Sequence, residues 1–265
     1  MLITGGTGEI GRVIREIFSQ KGIRLLAFDD YLKNTQHCPS PRRILHLAGR
    51  ADLSRPDSIL DSNIGYLRTV LDRVEQAGVE EFVFFSSVSV YGSQNKEDVN
   101  ESDGMLAPQL YGLSKLIDEK ILELSDVKAI CIRLPGVLEL RKATNFLGRI
   151  FVSLKNNEDI TVYNGDKLFN NFIDIFSLAD FVSNLTVTEK FDVINLGNEK
   201  QLTIREIIEL IRSTLNSRSK VVYADDEKPF FNLSITKAVS RYGFKPGNAR
   251  DNIIRWCTQK LVEME

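Results

Sequence analysis

Two rhythms of apolar residues alternate along the first half of the chain. Runs in which most positions are apolar fall at 1–4, 24–28, 44–48, 81–85 and 128–133. Between them apolar residues return every three or four positions, at Ile10, Val13, Ile14, Ile17 and Phe18, then at Ile64, Leu67, Leu71 and Val74, then across 110–124. The runs predict buried strands and the periodic stretches predict helices, the first stopped by Gly22 and the second near Gly78. Alternating strands and helices whose strands are apolar on both faces mean a parallel sheet covered on both sides, an α/β fold.

After Pro135 the rhythm loosens. A helix is expected over 146–154 and a short strand over 160–162, leading into a Tyr163-Asn164-Gly165-Asp166 turn. A strand follows at 193–196, then a helix from Thr203 with Glu206 in capping-box spacing, and a last helix over 251–262. This reads as a smaller α+β lobe. The expected division gives 1–136 and 172–190 to the sheet domain, and 137–171 and 191–265 to the lobe. No repeat, low-complexity tract or linker separates them, so two packed lobes are expected.

The chain has 265 residues and a formal net charge of −2. The two signs are interspersed and no basic stripe forms, which argues against a nucleic-acid partner. Three widely spaced cysteines, Cys38, Cys131 and Cys257, fit reduced thiols better than a disulfide framework. Two histidines are too few for a His-based metal site, and no metal is expected. No stretch is long enough to span a membrane, and the apolar opening runs straight into a glycine turn rather than a cleavable leader. A cytoplasmic protein is expected.

The chemistry begins at Thr4-Gly-Gly-Thr-Gly-Glu-Ile-Gly11, a glycine turn between a strand and a helix. Gly5, Gly8 and Gly11 allow the tight turn and close approach that a pyrophosphate needs, and the helix N-terminus supplies unpaired N–H groups. Thr7, Glu9 and Ile10 share that turn. Asp29 closes the second strand about 20 residues on, where a carboxylate accepts from ribose hydroxyls and repels a 2′-phosphate, so NAD is preferred over NADP. Asp30 and Asn34 stand beside it, as ribose contacts or as ordinary turn residues. A Rossmann-type doubly wound sheet follows from this strand–turn–helix context.

Tyr111 and Lys115 lie four apart on a predicted helix and so share a face. A free phenol titrates near 10, and a nearby ammonium and a cationic nicotinamide would bring it into working range as a base. Ser87 leaves the end of a buried strand, where such sheets place their sites, and its hydroxyl suits the same substrate oxygen. Tyr-x-x-x-Lys also arises by chance; its place after the glycine cradle is what gives it weight.

These segments resemble the extended short-chain dehydrogenase/reductase family, in its NAD-dependent nucleotide-sugar epimerase and dehydratase branch, over nearly the whole chain. His46-Leu-Ala-Gly49 is similar to a His-Leu-Ala-Ala strand end beside the cofactor, and Asn63-Ile-Gly65 to an Asn-Val-x-Gly helix start. Arg133-Leu-Pro-Gly136 matches the strand and loop near the nicotinamide. Asn171-Phe-Ile-Asp-Ile175 with Leu178-Ala-Asp180, Asn195-Leu-Gly197, Ser234-Ile-Thr-Lys-Ala238 and Gly243-Phe-Lys-Pro246 are similar to later landmarks. The resemblance implies a catalytic triad of Ser87, Tyr111 and Lys115 with Tyr111 as base. It adds Leu47, Ala48, Gly49, Asn63, Ser86 and Pro135 to the cofactor contacts, and Ser87, Ser89 and Tyr111 to the substrate contacts. Asn145, Phe146, Thr161 and Tyr163 of the lobe are placed by position to set specificity, Tyr163 either stacking on a base or simply packing before the Asn-Gly turn.

Three departures stand out. Only fourteen residues (31–44) join the second strand to His46, where the family fits another strand and helix. Val88 and Ser89 follow Ser87 in place of the Asp-Glu pair of 4,6-dehydratases, which argues against that reaction. The arginines that grip a substrate diphosphate are missing: Asn170 or Asn171 stands near one position, and Asp225-Asp-Glu-Lys-Pro229 replaces the other. Lys167 and Lys228 are either substitutes or solvated surface lysines.

The resemblance therefore implies an NAD-dependent sugar epimerase, acting at C4 of a nucleotide-linked hexose. A reductase of a keto sugar or other carbonyl uses the same residues. A non-catalytic dinucleotide-binding regulator is the rival from another class. Helices 63–77 and 110–124 carry apolar residues on more than one face, which suits either a homodimer or burial under the lobe.

Overall fold

The computed structural model describes residues 1–33, 41–94, 96–226 and 228–264. In chain order its elements begin with β1 (Leu2–Thr4), α1 (Glu9–Gln20), β2 (Leu26–Ala27), α2 (Phe28–Lys33), β3 (Arg43–His46) and α3 (Pro56–Leu60). A π-helical turn (Asp61–Gly65) runs on into α4 (Tyr66–Gln76), then come β4 (Glu81–Ser87), a 3₁₀ turn (Val88–Tyr91), β5 (Asp98–Val99), α5 (Leu110–Leu124) and β6 (Lys128–Leu134). The remainder is β7 (Gly136–Leu138), α6 (Phe146–Lys155), β8 (Ile160–Val162), β9 (Phe172–Asp174), α7 (Ile175–Asn184) and β10 (Phe191–Asn195). Last come α8 (Ile204–Thr214), β11 (Val221–Tyr223), β12 (Asn232–Leu233), α9 (Thr236–Tyr242) and α10 (Ala249–Met264).

The chain divides into two compact units: residues 1–93, 101–133 and 179–195 form the first, and 94–100, 134–178 and 196–265 the second. The first holds a six-stranded sheet in the order β10-β6-β4-β3-β1-β2. Its β2/β1, β1/β3, β3/β4 and β6/β10 pairings are parallel. The order reverses between β1 and β3, and chain crossing there opens a crevice beyond the strand ends. Counting only this sheet's strands the order is 2-1-3-4-5-6. The strand that lies outside the second in the six-stranded dinucleotide order has no counterpart among the described residues, in keeping with the short 31–44 link.

One face of the sheet is built on Leu2, Ile44, Phe82, Phe84, Ala129 and Cys131, packed against Leu67, Val70 and Val74 of α4 and Leu122 of α5. Each fully buried phenylalanine contributes about 1.5–3 kcal/mol relative to exposure. The second unit has its own core, in which α8 and α10 bury Ile207, Ile208, Ile211, Ile253 and Trp256. Thr203 and Glu206 make the expected capping box at the start of α8.

Three expectations change. The apolar run 24–28 forms only a two-residue strand, because β2 lies at the sheet edge with β1 as its partner, and Phe28 already begins α2. The helical path before β4 begins at Pro56 rather than near Asn63, with proline in the first turn where its missing N–H costs nothing. Residues 191–195, assigned to the lobe in the sequence division, pair with β6 as a sheet strand, while 134–136 and 172–178 fall in the second unit.

Candidate active site

The turn leaving β1 is held tight against the turn leaving β3. Gly5 has φ +66°, and a Cβ there would stand 2.7 Å from the Ala48 nitrogen. A Cβ on Gly11 would stand 2.4 Å from the Gly5 carbonyl oxygen. Gly8 N donates to Gly5 O at 3.0 Å, and Gly8 N-caps α1 without any side chain to close its N–H groups. Thr7 is exposed, Ile10 half-buried and Glu9 buried in the first turn of α1. This backbone cradle fits a pyrophosphate because only hydrogens stand where side chains would obstruct it.

The two strand ends are tied together by side chains. Thr4 Oγ1 lies 3.1 Å from His46 Nδ1 and accepts from Ala48 N at 3.3 Å. Burial, and then the charge of Lys115, push the His46 imidazole down to about 3, so the ring is neutral at physiological pH. Leu47 and Ala48 follow, half-buried, and Leu47 N donates to Thr4 O at 3.3 Å. Asp29 and Asp30 are exposed in the first turn of α2, not at a strand end. The Tyr66 phenol is raised by burial and then by the charge of Asp29, so the carboxylate stands near Tyr66 at the start of α4. Asn34 and Cys38 lie outside the described residues.

The buried Asn63 sits in the π-helical turn, a local widening that re-aims a side chain. Its Oδ1 accepts from Arg50 N at 2.8 Å, and its Nδ2 donates to Arg50 O at 3.1 Å and Ser114 Oγ at 2.8 Å. Ser114 in turn donates to Tyr111 O at 2.8 Å, so this turn braces α5 at the tyrosine. A Cβ on Gly49 would stand 3.1 Å from Lys115 Nζ, which brings this glycine beside the lysine.

Ser87 ends β4 and caps the 3₁₀ turn, accepting from Ser89 N at 3.1 Å, with the Ser87 and Ser89 hydroxyls also 3.1 Å apart. The Tyr111 phenol lies near enough to Ser87 for that hydroxyl to favour its ionised form. Lys115, 3 % exposed, donates from Nζ to Phe85 O at 3.0 Å and lies 4.5 Å from the Phe84 ring centre. Ser87, Tyr111 and Lys115 are therefore gathered at the end of β4. The phenol is raised above its ordinary value, chiefly by burial, with Ser87 working downward and Asp118 upward. The lowering expected for a base is thus not supplied by the protein alone. Lys115 is lowered by burial, and Asp118 is the largest influence opposing that.

Within the second unit, a cavity of about 450 Å³ is walled by Phe146, Phe169, Phe172, Phe230 and Tyr163, with Asn171 and Thr161 among its polar groups. Asn145 lines it too and N-caps α6, accepting from Gly148 N at 2.9 Å. Asn171 faces this cavity, whereas Asn170 is committed elsewhere, donating to Leu233 O at 2.8 Å and accepting from Leu233 N at 2.9 Å. Lys228 Nζ lies 4.8 Å from the Tyr163 ring centre. A neighbouring cavity of about 500 Å³ adds Lys96 and Lys167 to Lys228. Pro135 is buried in the step from β6 to β7.

The NAD dependent epimerase/dehydratase family model matches residues 1–197. The chain belongs to this family. A putative UDP-glucose 4-epimerase of Methanocaldococcus jannaschii is 23% identical over 286 residues, covering 93% of each chain. A dTDP-4-dehydro-6-deoxyglucose reductase of Escherichia coli is 23% identical over 296 residues, covering 93% of this chain and 92% of its own. Among solved structures, a Thermotoga maritima UDP-glucose 4-epimerase with UDP-glucose superposes with a TM-score of 0.82 at 17% identity, covering 100% of this chain and 99% of its own. A Thermus thermophilus UDP-glucose 4-epimerase complex with NAD gives 0.79 at 18% identity over 98% of both chains.

Several residues that shape this epimerase/dehydratase site escaped the sequence reading. Glu119 is gripped by Arg133 Nε and Nη2 at 3.0 and 2.7 Å, and also accepts from Ser86 Oγ at 2.6 Å. Arg133 further donates to Tyr91 Oη at 3.0 Å, and Tyr91 donates to Asn195 Oδ1 at 2.7 Å. Ser86 thus serves this buried network. Asp118 is buried beside it. The available signal was spacing: Asp118 and Glu119 follow Lys115 by three and four on one helix. Among the described residues no group of three potential ligands could hold a metal, and no helix is long and apolar enough to cross a membrane.

Proposed function

We propose that this protein is an NAD-dependent sugar epimerase, acting at C4 of a nucleotide-linked hexose through a transient keto sugar. The observation that carries the reading is Tyr111 beside Ser87 at the end of β4, with Lys115 one turn further on and bonded to Phe85 O of that strand. Bound NAD would supply a reversible hydride acceptor. Tyr111 takes the proton from the C4 hydroxyl and later returns it, and Ser87 holds the same oxygen. Lys115 supplies the positive charge that favours phenolate. The cradle of Gly5, Gly8 and Gly11 holds the pyrophosphate, and Asp29 favours NAD by repelling a 2′-phosphate.

Support for a nucleotide-linked substrate comes from the aromatic cavity of the second unit, where rings suit a base and Asn145, Thr161 and Asn171 suit its polar edge. The curated and solved relatives that act on or hold UDP-sugars add to this. Leu113 and Ile117 are exposed on α5 and suit a second copy of the chain, and the buried thiols of Cys131 and Cys257 suit a reducing cytoplasm.

One observation favours a second reading. Among the described residues the sheet ends at the two-residue β2, and a shorter sheet on that side suits a reductase that exchanges its cofactor each turnover. The test is to incubate purified protein with UDP-glucose, follow the sugar by NMR, and assay acid-released NAD. Interconversion with UDP-galactose and retained NAD, both present in the wild type, with turnover lost in Tyr111→Phe by about 10²-fold or more, supports the epimerase. No interconversion, with NADH-dependent reduction of a 4-keto sugar nucleotide, replaces it by the reductase.

A further inference from the structure

Asp118 is 1 % exposed, and neither of its carboxyl oxygens has a hydrogen-bond partner. It follows Lys115 by three positions and Tyr111 by seven, which puts all three on one face of α5. The other buried charges here are matched. Lys115 donates to Phe85 O, and Glu119 is held by Arg133 and Ser86. Burying a carboxyl without a hydrogen-bond partner disfavours folding relative to an apolar group of the same size, so stability alone does not account for it.

We propose that Asp118 is a positioning residue whose carboxyl, by holding or releasing a proton, sets the charge around the Tyr111–Lys115 pair. The proposal rests on the reading of Tyr111 and Lys115 as the catalytic pair. The titratable groups that act with Asp118 are Lys115 and Glu119 on its own helix, Tyr111 one face-length before it, and Cys131 on β6. Arg133, also on β6, is committed to Glu119, and burial pushes the Cys131 thiol well up, so neither answers Asp118.

Lys115 and Asp118 are left as the opposed pair. Ionised Asp118 supports the ammonium of Lys115 and opposes the phenolate of Tyr111. Protonated Asp118 leaves the ammonium uncompensated, and phenolate becomes easier to form. Burial, eased by Lys115 and reinforced by Glu119, pushes the Asp118 carboxyl up to about 7. The switch therefore falls near neutral pH.

The test uses ligand-free protein, so it does not depend on the identity of the sugar or on turnover. Tyrosinate absorbance is titrated in the wild type, Asp118→Asn and Asp118→Glu, each with its Tyr111→Phe counterpart subtracted to isolate the Tyr111 signal. The phenol of Asp118→Asn is expected to ionise more readily, by at least about threefold in its acid constant, while Asp118→Glu follows the wild type. Coincident wild-type and Asp118→Asn curves overturn the proposal. Infrared difference spectra of the wild type supply a measurement that needs no variant to fold. A protonated carboxyl band present at about pH 5 and lost by about pH 8 is expected, and its absence at about pH 5 overturns the proposal. A chain that fails to epimerise UDP-glucose yet shows both signals would fail the functional reading alone.

Discussion

Gly112 packs so closely on Ser89 that a Cβ at position 112 would stand 2.2 Å from the Ser89 carbonyl oxygen. The contact presses the first turn of α5, which carries Tyr111, against the 3₁₀ turn that Ser87 caps. Ala at this site is expected to gain up to about 1 kcal/mol of helix propensity and lose about 1–3 kcal/mol to overpacking against backbone. The net is a loss of up to about 2 kcal/mol, and the Ser87–Tyr111 spacing is disturbed. Gly112→Ala is expected to keep its circular-dichroism spectrum and lose at least about tenfold in turnover. Unchanged turnover would separate the close approach from catalysis.

The Arg133–Glu119 pair predicts a different kind of loss. Both side chains are almost fully buried and share two hydrogen bonds. Glu119→Ala leaves the Arg133 guanidinium buried without its carboxylate and is expected to cost about 3–5 kcal/mol in urea unfolding. The double change Glu119→Leu with Arg133→Met removes both charges and is expected to recover part of that cost. A single variant as stable as the wild type would mean that solvent reaches the guanidinium.

What the chain disclosed by itself follows from how local each signal is. The bounds of α5 match the structure at both ends, because apolar spacing over 110–124 is a local property. The glycine turn was equally legible as a turn, since the positive φ of Gly5 and the approach of Gly11 to Gly5 O are set within it, whereas the closeness of Gly5 to Ala48 was not. Phe28 was misread because a short apolar run carries no periodicity that separates strand from helix, and only the edge position of β2 decides it. Phe191–Asn195 was placed in the wrong unit because its partner strand, β6, lies some sixty residues earlier. Asp118 and Glu119 went unread. Their burial depends on β6 and on Arg133, which no local pattern announces.

His46 gives the molecule an acid-sensitive point. Its imidazole is held neutral by burial among Tyr66, Phe82 and Phe84, down to about 3 against an ordinary 6.5. Below 6.5 the unfolded chain binds a proton that the folded chain refuses, so stability falls as pH drops through that window, by ~1.4 kcal/mol for each unit. Titrating carboxylates add their own slopes, so the comparison needed is between the wild type and His46→Phe. Urea midpoints measured from about pH 7 to about pH 4 are expected to fall less steeply in the variant by one proton's worth of slope. Parallel slopes would mean that the ring protonates in the folded state.

Two glycines allow the cradle to be tested apart from general stability. Gly22 has φ +70° and open space around its Cα, so alanine there strains the backbone after α1 without touching any neighbour. Gly11 faces the opposite constraint, a Cβ that would stand 2.4 Å from Gly5 O and 2.7 Å from Gly6 Cα. Alanine at Gly11 must push α1 away from the turn, and the N–H groups of the helix start move with it. Gly22→Ala is expected to lower the melting temperature and leave NAD affinity unchanged. Gly11→Ala is expected to weaken NAD at least about tenfold, ~1.4 kcal/mol, in a calorimetric titration of the folded protein. Equal NAD affinity in the two variants would place the pyrophosphate elsewhere than the start of α1.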